Sequence, residues 1–189
     1  MTINVLNTPK NPKVALIAYE GAQESAILGM RDVLDISNRI AERLAGQRID
    51  HSVLHPDQLD DGEAFDAIVL PPNLSGARGA GDTDLAKWIS DRHGEGATAC
   101  SACAGAFWLG YAGLLDSRLV TTHWALEVEF RATFPKATLH PEHLIIDDHD
   151  IVTAGGVMAW IDLALYLVQR WLGPEVMSRT CRHLLIDPK

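Results

Sequence analysis

Short, unbroken apolar runs alternate along this chain with longer stretches whose apolar residues recur at helical spacing. "VALIAY" (14–19) is the clearest run. A strand with one wet face would alternate polar and apolar, so a continuous run suits a strand buried on both faces. The turn "EGAQ" follows, and then Ile27, Met30, Leu34, Ile40 and Leu44 fall on a helical period over 24–45, with Gly46 as the stop. "HSVLH" and "FDAIVLPP" predict a second and a third strand, the latter ended by its two prolines. "DTDLAKWISDRH" predicts a helix capped by Asp82. "ATACSA" predicts a fourth strand and residues 105–115 the next helix. Beyond it come "RLVTTHW", a helix over 126–134 and a short strand pair within 137–153. Gly155 and Gly156 then turn the chain into a long helix, and Pro174 opens the last one. Strands and helices in alternation mean an α/β sandwich of three layers with a mostly parallel central sheet. Ligands of such sheets lie beyond the carboxyl ends of the strands, at strand-to-helix turns.

At 189 residues and 47% hydrophobic, the chain can bury one core. Residues 1–12 are polar with two prolines and read as a flexible arm, leaving 13–189 as a single domain. A net charge of −9 argues against a nucleic-acid surface on this chain. The N-terminus lacks the apolar run of a signal peptide. The longest apolar stretch, near 157–172, includes Asp162 and is too short and too polar for a membrane span. Three cysteines, an odd count without the spacing of a secreted scaffold, suit a reducing cytoplasm.

Two of those cysteines lie in "ATACSACAGAFWLGYAGLL" (97–115), where a strand is expected to end and a helix to begin. Backbone N–H groups and a helix N-terminus around Cys103 would lower its pKa and favour the thiolate. Cys103-Ala104-Gly105 has the small residues that a nucleophile elbow needs where backbones crowd. On this reading Cys103 is the most readily alkylated of the three thiols. The competing reading makes both cysteines small core residues. Cys100 and Cys103 also form a C-x-x-C, but the first stands inside the predicted strand, which disfavours a redox disulfide. Two cysteines do not close a zinc site, and Asp147, Asp148, His149 and Asp150 read as a solvated hairpin turn, so no metal is expected. Trp108, Trp124 and Trp160 are assigned to the core or to a dimer face, with one of them a candidate for the pocket lining.

"CSACAGAFWLGYAGLLDSRLVTTHW" resembles the core signature of the ThiJ/PfpI superfamily, whose fold is flavodoxin-like and class I glutamine amidotransferase-like. "HDIVTAGGVMAWIDLALYLVQRWLG" is similar to that family's glycine turn and following helix. "CRHLLIDP" resembles the amidotransferase-like N-terminal domain of AraC-type transcriptional regulators. The resemblance implies Cys103 as the elbow thiol and His123 as the histidine beside it. Glu24, Asn73, Ala104, Gly105 and Gly155 then line the ligand site, and no cofactor is implied.

Two departures weigh on the activity. Enzymatic members carry an acid five residues past the turn position matched by Gly21, and here that residue is Ala26. Glu24 lies about 200° round a helix from it, and Glu20 is a weaker substitute. The family's Gly-Gly turn is replaced by "LPPN" (70–73), where Pro72 offers no N–H to an oxyanion. Ala104 also stands where several enzymatic members have Thr or Ser. The expected function is therefore a small-molecule-sensing, homodimerising domain of an AraC-type regulator, weakly catalytic or non-catalytic. DNA is reached only through a helix-turn-helix domain beyond this chain, and no membrane is involved. The alternative is a cysteine-dependent hydratase, amidase or glyoxalase-like enzyme. A further possibility is redox sensing by oxidation of Cys103.

Overall fold

The apolar runs become the middle of one sheet, and their alternate residues divide its two faces. The computed structural model describes residues 10–44, 46–60, 62–74 and 83–187. In chain order the elements are β1 (Lys13–Ile17), α1 (Glu24–Arg43), β2 (Asp50–Leu54), β3 (Ala67–Leu70), α2 (Thr83–Gly94), β4 (Thr98–Ala102), α3 (Ala106–Tyr111), β5 (Leu119–Val120), α4 (Glu127–Thr133), β6 (Thr138–Leu139), β7 (Ile145–Asp148), β8 (Ile151–Ala154) and α5 (Trp160–Leu184). Six strands pair in the order β2-β1-β3-β4-β8-β7, all parallel except the edge strand β7. The fold is the flavodoxin-like sandwich expected from the sequence.

Val14, Leu16, Val69, Cys100 and Val152 pack under α1 and α5. Ala15, Ile17, Ile68, Leu70, Ala99 and Ile151 face the opposite layer with Trp88, Phe107 and Phe130. Both faces are dry, so β1, β3, β4 and β8 need apolar residues at nearly every position. Trp108 and Trp160 are core residues, whereas Trp124 is 72% exposed. α1 and α5 approach closely because Gly29 has no side chain: a Cβ there would lie 2.3 Å from the Trp160 ring. Deep between them the Ser37 and Thr180 hydroxyls meet at 3.1 Å. The helical run of α5 is broken at Gly173 (φ 86, ψ 167), a conformation suited to glycine, and Pro174 opens the second piece.

Several boundaries differ from the expectation. The helix predicted over 105–115 is a 3-10 turn, Cys103–Gly105, followed by a short α3 that stops at Tyr111. Within 137–153 only β7 and β8 form the hairpin. Thr138–Leu139 pairs instead with β5, in parallel, as a separate two-stranded ribbon. The proposed cap Asp82 lies outside the described residues, as do residues 1–9 of the arm. The arm's last residues are held: the Asp50 N–H donates to the Pro12 carbonyl (2.9 Å) and Asn11 Nδ2 reaches the Asp50 carboxylate (3.3 Å). Among the described residues no helix is long and apolar enough to cross a membrane.

Candidate functional site

The parallel strands β1, β3 and β4 end side by side, and the turns leaving them are stitched into one corner. The Tyr19 hydroxyl donates to the Pro71 carbonyl, and the Gln23 N–H donates to the Pro72 carbonyl (2.7 Å). Asn73 Nδ2 donates to the Glu20 carbonyl (3.2 Å), and Asn73 bridges Ala22 through its backbone. The proline pair thus serves this corner through its carbonyls, which is what a residue lacking N–H can still offer.

Cys103 stands where β4 leaves the sheet, with φ 53 in the left-handed region. That conformation is uncommon for a residue with a side chain and forces the sharp change of direction. The turn is pressed onto the end of β3. A Cβ on Gly105 would lie 2.2 Å from the Leu70 carbonyl oxygen and 2.8 Å from that of Pro71, so only glycine fits. On the other side Thr122 Oγ1 donates to the Cys103 carbonyl at 2.7 Å.

The electrostatics correct the expectation of an activated thiol. Cys103 is 5% exposed, and burial pushes its pKa up, outweighing the Ala104 N–H that stabilises the sulfur. A dipole from a 3-10 turn and six helical residues is small beside the cost of stripping water from a thiolate. Among the described residues no carboxylate acts on the Cys103 proton. Tyr19, edge-on to Trp108 at 5.2 Å, has its own phenol raised, first by burial and then by the thiol beside it. Cys100, in the strand, is fully buried and pushed up to about 12, again chiefly by burial. All three cysteines are free thiols.

The remaining residues singled out from the sequence fall as follows. Ala26 is buried on the inner face of α1, and Glu24 is exposed in that helix's first turn, where a negative charge complements the dipole. His123 follows Thr122 and is half-buried. Its Nδ1 accepts the Ala125 N–H at 3.2 Å, capping the 3-10 turn before α4, and its ring lies 5.3 Å from that of Trp124. Among the described residues no hydrogen bond joins His123 to Cys103. Gly155 makes room for the turn before β7: a Cβ would lie 2.8 Å from the His143 carbonyl oxygen. Asp148 and Asp150 are bound by Arg118 rather than merely solvated.

Sequence reasoning missed Gln23, Tyr19 and Thr122. Gln23 is buried at the N-cap of α1 but does not cap it. Its Nε2 donates to Ser25 Oγ (2.8 Å), and its Oε1 has no partner among the described residues. Glutamine at a position that favours Ser, Thr, Asp or Asn was the available signal. Ser101 Oγ, two residues before the thiol, is also buried and, among the described residues, unpaired. Unpaired buried polar atoms are costly, and here one lies at the turn after β1 and one in β4, two residues before the thiol.

Residues 13–170 match the DJ-1/PfpI family. The chain is 31% identical over 121 residues to isonitrile hydratase of Pseudomonas putida, covering 61% of this chain and 50% of that protein. It is 35% identical over 102 residues to the HTH-type transcriptional regulator CdhR of Pseudomonas aeruginosa, covering 54% of this chain and 30% of the regulator. The chain thus spans half or less of the length of these curated relatives. Its backbone superposes on an AraC family transcriptional regulator from Pseudomonas putida with a TM-score of 0.78 at 20% identity, over 92% of this chain and 99% of that one. Sheet order, cysteine turn and family match fall on the same span, and the chain belongs to the DJ-1/PfpI family.

Proposed function

We propose that this domain binds a small metabolite at the Cys103 corner without turning it over, as the sensing and dimerising unit of an AraC-type transcriptional regulator. One observation carries the reading: no carboxylate acts on Cys103 among the described residues, and Ala26 stands where the resembled enzymes place an acid. Nucleophilic catalysis by a thiol needs a base to form the thiolate and an acid to protonate what leaves. Here burial keeps the thiol protonated near neutral pH. Gln23 Oε1, at the turn after β1, supplies an acceptor for a polar ligand. The similarity to a regulator and the net charge of −9 support a role in which DNA is contacted by another domain. The exposed Trp124 and Val128, on the segment that carries His123, suit contact with a second copy.

The similarity to isonitrile hydratase and the left-handed Cys103 favour a second reading, a cysteine-dependent hydratase. The two separate in one experiment. The purified domain is screened by thermal shift against metabolites and, in parallel, for consumption of isonitriles. A ligand that raises Tm, is recovered unchanged and still binds Cys103→Ser supports sensing. Multiple turnovers abolished by Cys103→Ala would replace it with catalysis.

A further inference from the structure

The turn between β6 and β7, residues 140–143, reads His-Pro-Glu-His. It lies apart from the acidic run 147–150, and it brings three metal-ligating side chains together. His140 Nδ1 and Glu142 Oε1 are 3.0 Å apart, His143 Nε2 and Glu142 Oε1 are 3.8 Å apart, and all the ligating atoms lie within 4.8 Å of one another. Ligands at zinc–nitrogen bond lengths around a tetrahedral ion stand about 3.3 Å apart. The two edges that meet at Glu142 bracket that length and the third is at most 4.8 Å, so an ion draws the imidazoles in by side-chain movement.

The backbone of the turn is also held by hydrogen bonds, which a surface ion pair does not require. The His140 N–H donates to the Val120 carbonyl (2.8 Å), and the His143 N–H donates to the His140 carbonyl (3.3 Å). Thr121 Oγ1 donates to the His143 carbonyl (2.9 Å), and the Gly155 N–H donates to the Leu144 carbonyl (2.9 Å). Pro141 fixes one φ inside the turn. Gly155, lacking a Cβ, lets the sheet press against the His143 carbonyl. Preorganised backbone under exposed ligands is the arrangement that lowers the ordering cost of binding an ion.

We propose that His140, Glu142 and His143 form a three-ligand site for a divalent transition cation of the zinc type, with its fourth position open to water or to an anionic group. Two imidazoles and one carboxylate match the preferences of zinc over those of calcium or magnesium, which take oxygen. The three ligands include none of the residues assigned to the Cys103 corner, so the proposal stands whether that corner senses or catalyses.

The test is calorimetric titration of untagged protein with Zn2+ at pH 7.5, backed by Co2+ visible absorption. One equivalent binding with a micromolar or tighter Kd is expected. His140→Ala and His143→Ala should each weaken it at least tenfold, Glu142→Gln less, and Cys103→Ser not at all. The three side chains are partly or fully exposed, so unchanged circular dichroism is expected of each variant. Absence of saturable binding below millimolar Zn2+ overturns the proposal. So does binding that survives His140→Ala/His143→Ala, or a Co2+ spectrum with sulfur-to-metal charge transfer that disappears in Cys103→Ser.

Discussion

The corner at the ends of β1, β3 and β4 and the flank formed by β5, β7 and β8 fix their geometry by opposite means. The corner uses backbone contacts and burial. Tyr19, Gln23 and Gly105 close on proline carbonyls, and no ion pair takes part in those contacts. The flank uses charge. Arg118 Nε reaches Asp148 (2.5 Å) and its Nη2 reaches Asp150, while His93 Nε2 meets Asp150 at 2.8 Å. A neutral corner resists pH and salt but fails if a single methyl group is added. A charged flank tolerates shape changes but depends on protonation. The thiol belongs to the first kind of environment, which is why it stays protonated.

The largest expected effect is at Gly105. Gly105→Ala puts a methyl group against two backbone carbonyls that cannot rotate away, and should destabilise by about 3 kcal/mol or more, read by urea unfolding. A loss under about 1 kcal/mol would mean that the corner is not held by that contact. Gly155→Ala should cost about 2 kcal/mol, since one of its two closest neighbours is the Thr121 side chain, 3.0 Å away, which can shift.

Next in size is the thiol. In the native protein, iodoacetamide at neutral pH should alkylate Cys103 about tenfold more slowly than it alkylates an unfolded-chain thiol, or about 1.4 kcal/mol. The rate should climb as pH rises past the ordinary thiol range. Cys100, pushed up to about 12, should lag further behind. Labelling of Cys103 at the unfolded rate would erase the distinction between corner and flank.

Arg118→Met should act least, about 1 kcal/mol after solvent screening. It should act mainly by flattening the acid side of the stability profile. The Arg118 guanidinium holds Asp148 below the usual carboxylate range and Asp150 at about 2. Groups lowered by folding stabilise fully above their unfolded pKa and lose that contribution as pH falls toward the folded value. The wild-type protein should therefore lose stability between about pH 4 and pH 2 more steeply than the variant. Parallel profiles would show that the ion network contributes nothing.

How much of this the sequence disclosed depended on whether the cause was local. Val14 to Ile17 and Ala67 to Leu70 announced buried strands because both faces of each are dry, and a short window holds that information. The crowding at Cys103-Ala104-Gly105 was legible for the same reason. The pairing of Leu119–Val120 with Thr138–Leu139 was not, because two-residue strands carry no period and their register is set by the sheet beneath. The thiol's protonation is not legible because the helix start is visible in sequence while the burial that outweighs it is a tertiary property. Arg118 meets Asp150 across 32 positions, a separation that charge patterning does not span.

Helix α1 begins at Gln23 in the corner and carries Ser37 on its inner side, where it meets Thr180 beyond the break at Gly173. Fourteen residues of helix make a stiff rod of about 21 Å. The final helical piece, though it turns off at Gly173, is seated against that rod through Thr180 and through the buried Val176 and Cys181. One continuous strut thus underlies both the corner, at its first turn, and the seat of the last helical piece.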